Sequence, residues 1–146
     1  IPARCKRAVT SNSELHVRGV HVRVEMAHHP QAFYPMAYVV TGDGISVYHA
    51  GDSDLIEEFS PEFSAHVALL PIGGNITMDI VDAVKATKVL KPDVVIPMHY
   101  NTFDICMASP EEFIRKIEKS NLKTRPVIMA PNERFEYNIP VIPKLV

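Results

Sequence analysis

The sequence lacks several features that would assign it to a whole class of function. No apolar run approaches the ~20 residues that a membrane-spanning helix requires, so we expect no membrane association. Only two cysteines are present, far apart and outside any Cys-x-x-Cys pattern, and we therefore expect a reduced, cytoplasmic protein. Fifteen lysines and arginines stand against 17 acidic residues, a balance that gives no basic footprint for nucleic acid.

The chain has 146 residues, which predicts one domain or a large piece of one. It begins at Ile1 rather than at Met, and we expect it to be processed or truncated. The 12 prolines divide it into short elements and argue against long helices.

Strands are predicted across residues 1–52. Apolar and polar residues alternate between positions 15 and 26, and Arg18-Gly19 interrupts them, which predicts a hairpin with a tight turn. A second hairpin is predicted around Asp43-Gly44, because glycine adopts a positive φ without penalty.

From residue 53 to 146 the pattern changes to alternating helices and strands. Continuous apolar runs predict buried strands at 67–72 and 93–97. Three helices are predicted: one at 54–59, one from a cap at Thr77 or Asp79 to about Leu90, and one that begins after Ser109. Two final strands are predicted at 125–129 and 134–137. The whole chain, 1–146, is thus predicted to be a single α/β domain portion. In such folds ligands bind in the loops beyond the carboxyl ends of the strands.

Three short segments each place a candidate metal ligand directly after a predicted strand. They are Ala27-His28-His29-Pro30, His49-Ala50-Gly51-Asp52-Ser53 and Pro97-Met98-His99-Tyr100-Asn101. Imidazole and carboxylate ligands suit a divalent metal such as zinc, and they also permit manganese or iron. The sequence has no dense His/Asp cluster that would complete a two-metal site, although three ligands could hold one ion.

Each candidate ligand also has a purely structural interpretation. Asp52 could cap a following helix. His28 and His29 could be a solvated pair at the end of an edge strand, and His99 could be a hydrogen-bonded surface residue. We interpret His49 as a structural residue that orients a neighbour through its ring N–H.

Longer segments, at 48–53, 69–79 and 95–103, resemble the metallo-β-lactamase superfamily. Within this superfamily, the three segments are similar to a branch of metal-dependent hydrolases. That branch in turn resembles ascorbate-6-phosphate lactonases. The resemblance extends from about residue 15 to 137 and implies an αβ/βα sandwich with two metal ions. The family's His-x-His-x-Asp-His motif is absent from this chain. We therefore expect an incomplete fold, the downstream half to two-thirds of a family member.

The resemblance also implies a role for each candidate ligand. His29, with His28 as the alternative, would bind one metal, Asp52 would bridge both, and His99 would bind the second. Asp52 and His99 are thus the expected catalytic residues, and a hydroxide shared by the metals is the expected nucleophile. The residues expected to shape a substrate pocket are Asn75, Thr77, Tyr100 and Asn101.

The sequence therefore predicts a metal-dependent hydrolase whose small-molecule substrate is an ester, a lactone or a phosphodiester. We expect this chain alone to be inactive. It would need the N-terminal remainder of the same protein or a companion chain, and an exposed apolar sheet face could also drive homo-oligomerisation. The alternative is a non-catalytic binding or association module with a degenerate metal site.

Overall fold

The computed structural model describes residues 6–56 and 63–139. They form a seven-stranded mixed sheet in which the strands lie side by side in chain order. The strands are β1 (Glu14–Val17), β2 (Val20–Met26), β3 (Met36–Gly42), β4 (Ile45–His49), β5 (Val67–Pro71), β6 (Val94–Met98) and β7 (Arg125–Pro126). The helices are α1 (Ile80–Leu90), α2 (Pro110–Glu118) and a short 3-10 helix, Asp104–Cys106. The α/β prediction is confirmed.

Both predicted hairpins are present. Arg18 and Gly19 join β1 to β2 with φ values of 51° and 83°, and Asp43 and Gly44 join β3 to β4 with φ values of 50° and 77°. Positive φ at both turn residues is the geometry whose twist matches that of the flanking strands. The register of each hairpin is therefore set by its turn.

The sheet changes from antiparallel to parallel pairing at β4. Strands β1 to β4 pair antiparallel, whereas β4 to β7 pair parallel. Because two reversals separate β2 from β4, the strands β2, β4, β5 and β6 all run in the same direction. Their carboxyl ends meet along one side of the sheet, which we call the carboxyl edge.

The helices begin at capping side chains. The Asp79 carboxylate accepts the Asp82 N–H at 2.9 Å and caps α1, so the alternative cap, Thr77, is wrong. The Ser109 hydroxyl accepts the Glu112 N–H at 3.1 Å at the start of α2. No helix that the structure describes is both long and apolar enough to cross a bilayer.

Both helices cover the same face of the sheet. Ala68 and Leu70 of β5 point toward them and belong to the main buried cluster with Phe113 and Ile117 of α2. The opposite face carries a smaller cluster around Val67, Val94 and Ile96. This second face is covered in part by the carboxyl-terminal segment, through Phe135 and Tyr137.

Three predicted elements differ from the structure. Residues 54–56 are not helical, and the rest of the predicted 54–59 helix lies outside the described residues. The strand predicted at 125–129 is shorter, because pairing ends after the Val127 N–H bonds to the Val95 carbonyl, and Pro97 on β6 has no N–H that could continue it. Residues 134–137 are not a strand, since their aromatic side chains cover a face of the sheet and do not extend its edge.

A hydrogen bond fastens this carboxyl-terminal segment to the sheet. The Tyr137 hydroxyl donates to the Asp93 carboxylate at 2.5 Å. The bond raises the pKa of Tyr137 to about 12, because ionisation would lose the donor and place a phenolate beside a carboxylate.

We predict that this contact weakens at alkaline pH. The folded-state pKa of Tyr137 lies above its ordinary value of 10.0, so the stabilisation is complete below pH 10 and is lost as pH rises toward 12. Asp93→Ala should return the pKa of Tyr137 toward 10, as measured by ¹³Cζ NMR titration, whereas Asp82→Ala on α1 should not. A parent protein in which Tyr137 already titrates near 10 would contradict the assignment.

Candidate metal centre

The three segments with candidate ligands all lie at the carboxyl edge. His28 and His29 follow β2, Asp52 follows β4 and His99 follows β6. These strands are parallel to one another, so the loops that leave them emerge on the same side. The three segments thus lie along one edge of the sheet.

A buried serine joins these loops. Ser53 is 0% exposed, and its hydroxyl accepts the His28 N–H at 3.0 Å and donates to the Asp54 carbonyl at 2.8 Å. Its own carbonyl accepts the Met78 N–H at 2.9 Å, and the Asp54 N–H donates to the His28 carbonyl at 2.7 Å. Sequence reasoning did not single out Ser53. The available signal was a small hydroxyl side chain directly after a candidate ligand.

Asp52 and His99 are the two candidate ligands that the structure brings into contact. Nε2 of His99 lies 3.6 Å from Oδ1 of Asp52, which is longer than a hydrogen bond. Zinc holds nitrogen and oxygen ligands at about 2.0–2.2 Å, so atoms at this separation can bind one ion. Within the described ranges, Nδ1 of His99 is buried without a hydrogen-bond partner. This argues against an ordinary hydrogen-bonded surface histidine.

The backbone of His99 is held in an unusual conformation by a neighbouring loop. His99 has a φ of 55°, a region that non-glycine residues rarely occupy. A Cβ atom at Gly73 would lie 2.4 Å from the His99 carbonyl oxygen and 2.8 Å from Cβ of Cys106. Only glycine therefore permits the loop after β5 to approach His99 so closely.

The ring of His29 is oriented by a backbone carbonyl. Nδ1 of His29 lies 3.0 Å from the Ile76 carbonyl oxygen, so Nδ1 carries the proton and Nε2 keeps its lone pair. Metal-binding histidines commonly use this arrangement, in which the second ring nitrogen donates to a carbonyl. The bond supports His29 over the exposed His28 as the ligand of this segment.

The full ligand set is not assembled within the described residues. Across 6–56 and 63–139, no group of three or more His, Cys, Asp and Glu side chains is placed to hold a metal ion. The convergence of His29 with Asp52 and His99 therefore stays a prediction. The helix-capping alternative for Asp52 finds no support as far as Ile56, because no helix begins there.

His49 supports the turn that carries Asp52. Its Nδ1 accepts the Gly51 N–H at 3.0 Å, so this ring nitrogen acts as an acceptor, and the expected role of the ring N–H stays a prediction. Gly51 has a φ of 64°, and a Cβ atom there would lie 2.4 Å from the Met36 carbonyl oxygen. The turn thus needs both the imidazole acceptor and glycine.

Two of the expected pocket residues lie on the loop after β5. Asn75 is exposed and has a φ of 64°. Thr77 is only 3% exposed, and its hydroxyl donates to the Gly74 carbonyl at 3.4 Å. Asn75 is thus available to a substrate, whereas Thr77 is placed to support the loop.

The other two expected pocket residues follow His99. Tyr100 packs against the main buried cluster, and burial together with the nearby Glu111 carboxylate raises the pKa of Tyr100. The Asn101 side-chain carbonyl accepts the Ala108 N–H at 2.9 Å and closes the loop before α2. Their roles toward substrate stay predictions.

Comparison with known proteins agrees with this geometry. A family model for the beta-lactamase superfamily domain matches residues 6–99. The chain belongs to the metallo-β-lactamase superfamily. Two similar curated proteins are described as UPF0173 metal-dependent hydrolases. The one from Staphylothermus marinus is 45% identical over 106 residues, and the one from Ignicoccus hospitalis is 50% identical over 108 residues. In both, the match covers 70% of this chain and 46% of the relative.

Solved structures show the same fold. Igni18, described as a novel metallo hydrolase from Ignicoccus hospitalis, has a TM-score of 0.80 and 36% identity, covering 90% of this chain and 61% of that one. The metallo-beta-lactamase fold protein YhfI from Bacillus subtilis has a TM-score of 0.68 at 16% identity, covering 84% and 52%. The predicted superfamily is thus confirmed. The chain spans about half the length of the curated relatives it matches.

We predict that Ser53→Ala destabilises both the fold and the metal centre. It leaves the part-buried His28 N–H without its acceptor, a loss of about 1 kcal/mol in the free energy of unfolding. Ser46→Ala is a matched control, because Ser46 is also buried and its hydroxyl donates to the Ser64 carbonyl at the opposite end of β4. Both variants should lose stability in urea titrations, but only Ser53→Ala should weaken zinc binding. Equal zinc affinity in the two variants would contradict this role.

We predict that Gly73→Ala displaces His99. The added methyl group cannot fit beside the His99 carbonyl, and overpacking of this kind costs about 1–3 kcal/mol. Gly42→Ala is the control, since its Cβ would meet only a Val20 methyl group at an ordinary 3.7 Å. The imidazole NMR signals of His99 should shift in the first variant alone. Unchanged signals there would show that the close approach does not position His99.

Proposed function

We propose that this chain forms part of a metal-dependent hydrolase and supplies Asp52 and His99 to its metal centre. The observation that carries the proposal is the 3.6 Å contact between His99 Nε2 and Asp52 Oδ1 at the carboxyl edge. Membership of the superfamily and the similarity to proteins named metal-dependent hydrolases support the same function.

The donor set fits divalent metal ions. In the proposed centre His29 would hold one ion, His99 would hold the second and Asp52 would contribute to both. Histidine and carboxylate donors without cysteine suit zinc, which we propose first, and also manganese or iron. When bound, such ions supply Lewis acidity and positive charge to an ester, lactone or phosphodiester group. The chain's own contribution is to hold the ligands in place, through the Ser53 hydroxyl and the close approach of Gly73.

The remaining ligands would come from outside this chain. We propose that they lie in the N-terminal remainder of the same protein or in a companion chain, so that this chain alone is inactive. The sheet face opposite the helices is available for such a partner, because Val17 and Val40 on that face are exposed. A second copy of the chain is the competing occupant. The proposed setting is the cytoplasm, with a small-molecule substrate and neither nucleic acid nor membrane.

A non-catalytic binding or association module is the alternative. The observation that favours it is that no group of three or more candidate ligands is assembled within 6–56 and 63–139. The two functions differ in whether the full encoded protein retains metal.

We predict that Asp52→Asn removes metal and activity from the full encoded protein. Asp43→Asn is the matched control, since Asp43 lies in a hairpin turn with a φ of 50°, a conformation that asparagine also adopts. Metal content by mass spectrometry should fall by at least about one ion per chain only in Asp52→Asn, as expected for loss of a bridging ligand. The rate of p-nitrophenyl ester hydrolysis should fall more than about 100-fold. Mutation of a residue that only orients a metal ligand typically reduces activity by about 10–100-fold.

Two outcomes would contradict the proposed function. If the full encoded protein holds no zinc, manganese or iron as purified, and binds none when these ions are added, the non-catalytic module is favoured. An Asp52→Asn variant that keeps its metal and its activity would exclude Asp52 from the centre.

A further inference from the structure

Exposed apolar side chains lie on the two loops that carry the candidate ligands His29 and His99. The first rim, on the loop between β2 and β3, consists of Met26, Phe33 and Tyr34. The second rim, on the loop after His99, consists of Phe103, Ile105 and Met107. The exposed fractions of these six side chains range from 61% to 97%. Among the described residues, every phenylalanine or tyrosine that is mostly exposed lies in one of the two rims.

A cavity connects the first rim to a candidate ligand. It has a volume of about 530 Å³, and the residues that line it include His29, Met26, Phe33, Tyr34 and Met36. Sites for small molecules typically have volumes of about 300–1,000 Å³ and mostly apolar walls with a few polar groups. A ligand in this cavity would therefore contact both the apolar rim and the His29 imidazole.

Hydrogen bonds hold both rims in their exposed conformation. In the first loop the Ala32 N–H donates to the His29 carbonyl at 2.9 Å, and the His28 N–H donates to the Ser53 hydroxyl. In the second, the Cys106 N–H donates to the Phe103 carbonyl at 3.0 Å. The apolar side chains are thus displayed by loops with a defined backbone.

The rims lack the positive side chains that usually recognise one of the substrate classes named above, the phosphodiesters. Between Met26 and Met36 the sequence has no lysine, arginine, aspartate or glutamate, and from Tyr100 to Ala108 its single charged residue is Asp104. Recognition of a phosphate group normally uses arginine or lysine. Neither rim offers a lysine or an arginine, which favours an uncharged ester or lactone group over a phosphodiester.

We infer that the substrate is a carboxylic ester or lactone with an apolar acyl or aryl group, which packs against the two rims. The inference rests on the proposed hydrolase function and narrows it. The oxygen of one water molecule forms the new bond to the carbonyl carbon. The carbon–oxygen ester bond breaks, and the leaving oxygen takes up a proton, which gives an acid and an alcohol. Each rim would bury its exposed aromatic surface against the apolar group of the substrate.

The first experiment compares substrates in the full encoded protein loaded with zinc. The substrates are p-nitrophenyl acetate, p-nitrophenyl hexanoate and bis(p-nitrophenyl) phosphate. We expect kcat/KM for the hexanoate to exceed that for the acetate by about tenfold or more, since each buried methylene adds to binding. The phosphodiester should be the poorest substrate.

Matched variants assign this preference to the rims. Phe33→Ala should reduce the hexanoate-to-acetate ratio by about fivefold, because it removes a large apolar contact. The Phe33 side chain is 97% exposed, so the variant should fold normally. Val89→Ala is the control, an exposed apolar residue on α1 outside both loops, and it should leave the ratio unchanged.

A second measurement does not depend on catalysis. N-hexylacetamide, an unreactive probe, is titrated into metal-free full encoded protein with ¹³C-labelled methionine methyl groups. The signals of Met26 and Met107 should shift, whereas that of Met78, which is 3% exposed, should not. Phe33→Ala should weaken the response.

The outcomes separate the inference from the function on which it rests. If the zinc-loaded protein hydrolyses none of the three substrates, the proposed function fails. Equal hydrolysis of the acetate and the hexanoate, or faster hydrolysis of the phosphodiester, would overturn the apolar-substrate inference. An unchanged hexanoate-to-acetate ratio in Phe33→Ala would overturn it as well. In each of these cases the proposed hydrolase function would still hold. Methionine signals that do not respond to the probe would also overturn it.

Discussion

The Ser53 hydroxyl lies fully buried where the loops beyond β2 and β4 meet, and the Ser53 carbonyl reaches the loop beyond β5. A polar group in such a place stabilises the protein only when its hydrogen bonds are made, and an unmet buried donor costs about 1–3 kcal/mol. The bonds of Ser53 therefore fix the His28-His29 segment relative to Asp52. The positions of His29 and Asp52, of the cavity beside His29 and of the first apolar rim depend on this arrangement.

Strand direction brings these loops together in the first place. The loop between β2 and β3 and the Asp43-Gly44 hairpin each reverse the chain, so that β2 runs parallel to β4, β5 and β6. Their carboxyl ends then deliver His29, Asp52 and His99 to one edge of the sheet. Gly73 completes the arrangement, because the absence of a side chain allows the loop after β5 to touch the backbone of His99.

Local signals in the sequence predicted much of this structure. Asp43-Gly44 marked a hairpin, and Ser109 before a proline marked the start of α2, because turns and caps are read from neighbouring residues. The strand predicted at 134–137 was wrong, since alternating side chains fit a segment that covers a sheet as well as one that extends it. Ser53 and Gly73 escaped detection because their partners, His28 and His99, lie far away in the sequence. A close approach between distant loops leaves no local pattern.

The most direct test of the account is anomalous diffraction at the zinc edge from crystals of the full encoded protein. The account predicts a zinc peak within about 2.2 Å of a carboxylate oxygen of Asp52 and of a ring nitrogen of His99, with Nε2 of His29 binding an ion in the same centre. Zinc bound elsewhere, or no zinc peak at the carboxyl edge, would contradict it.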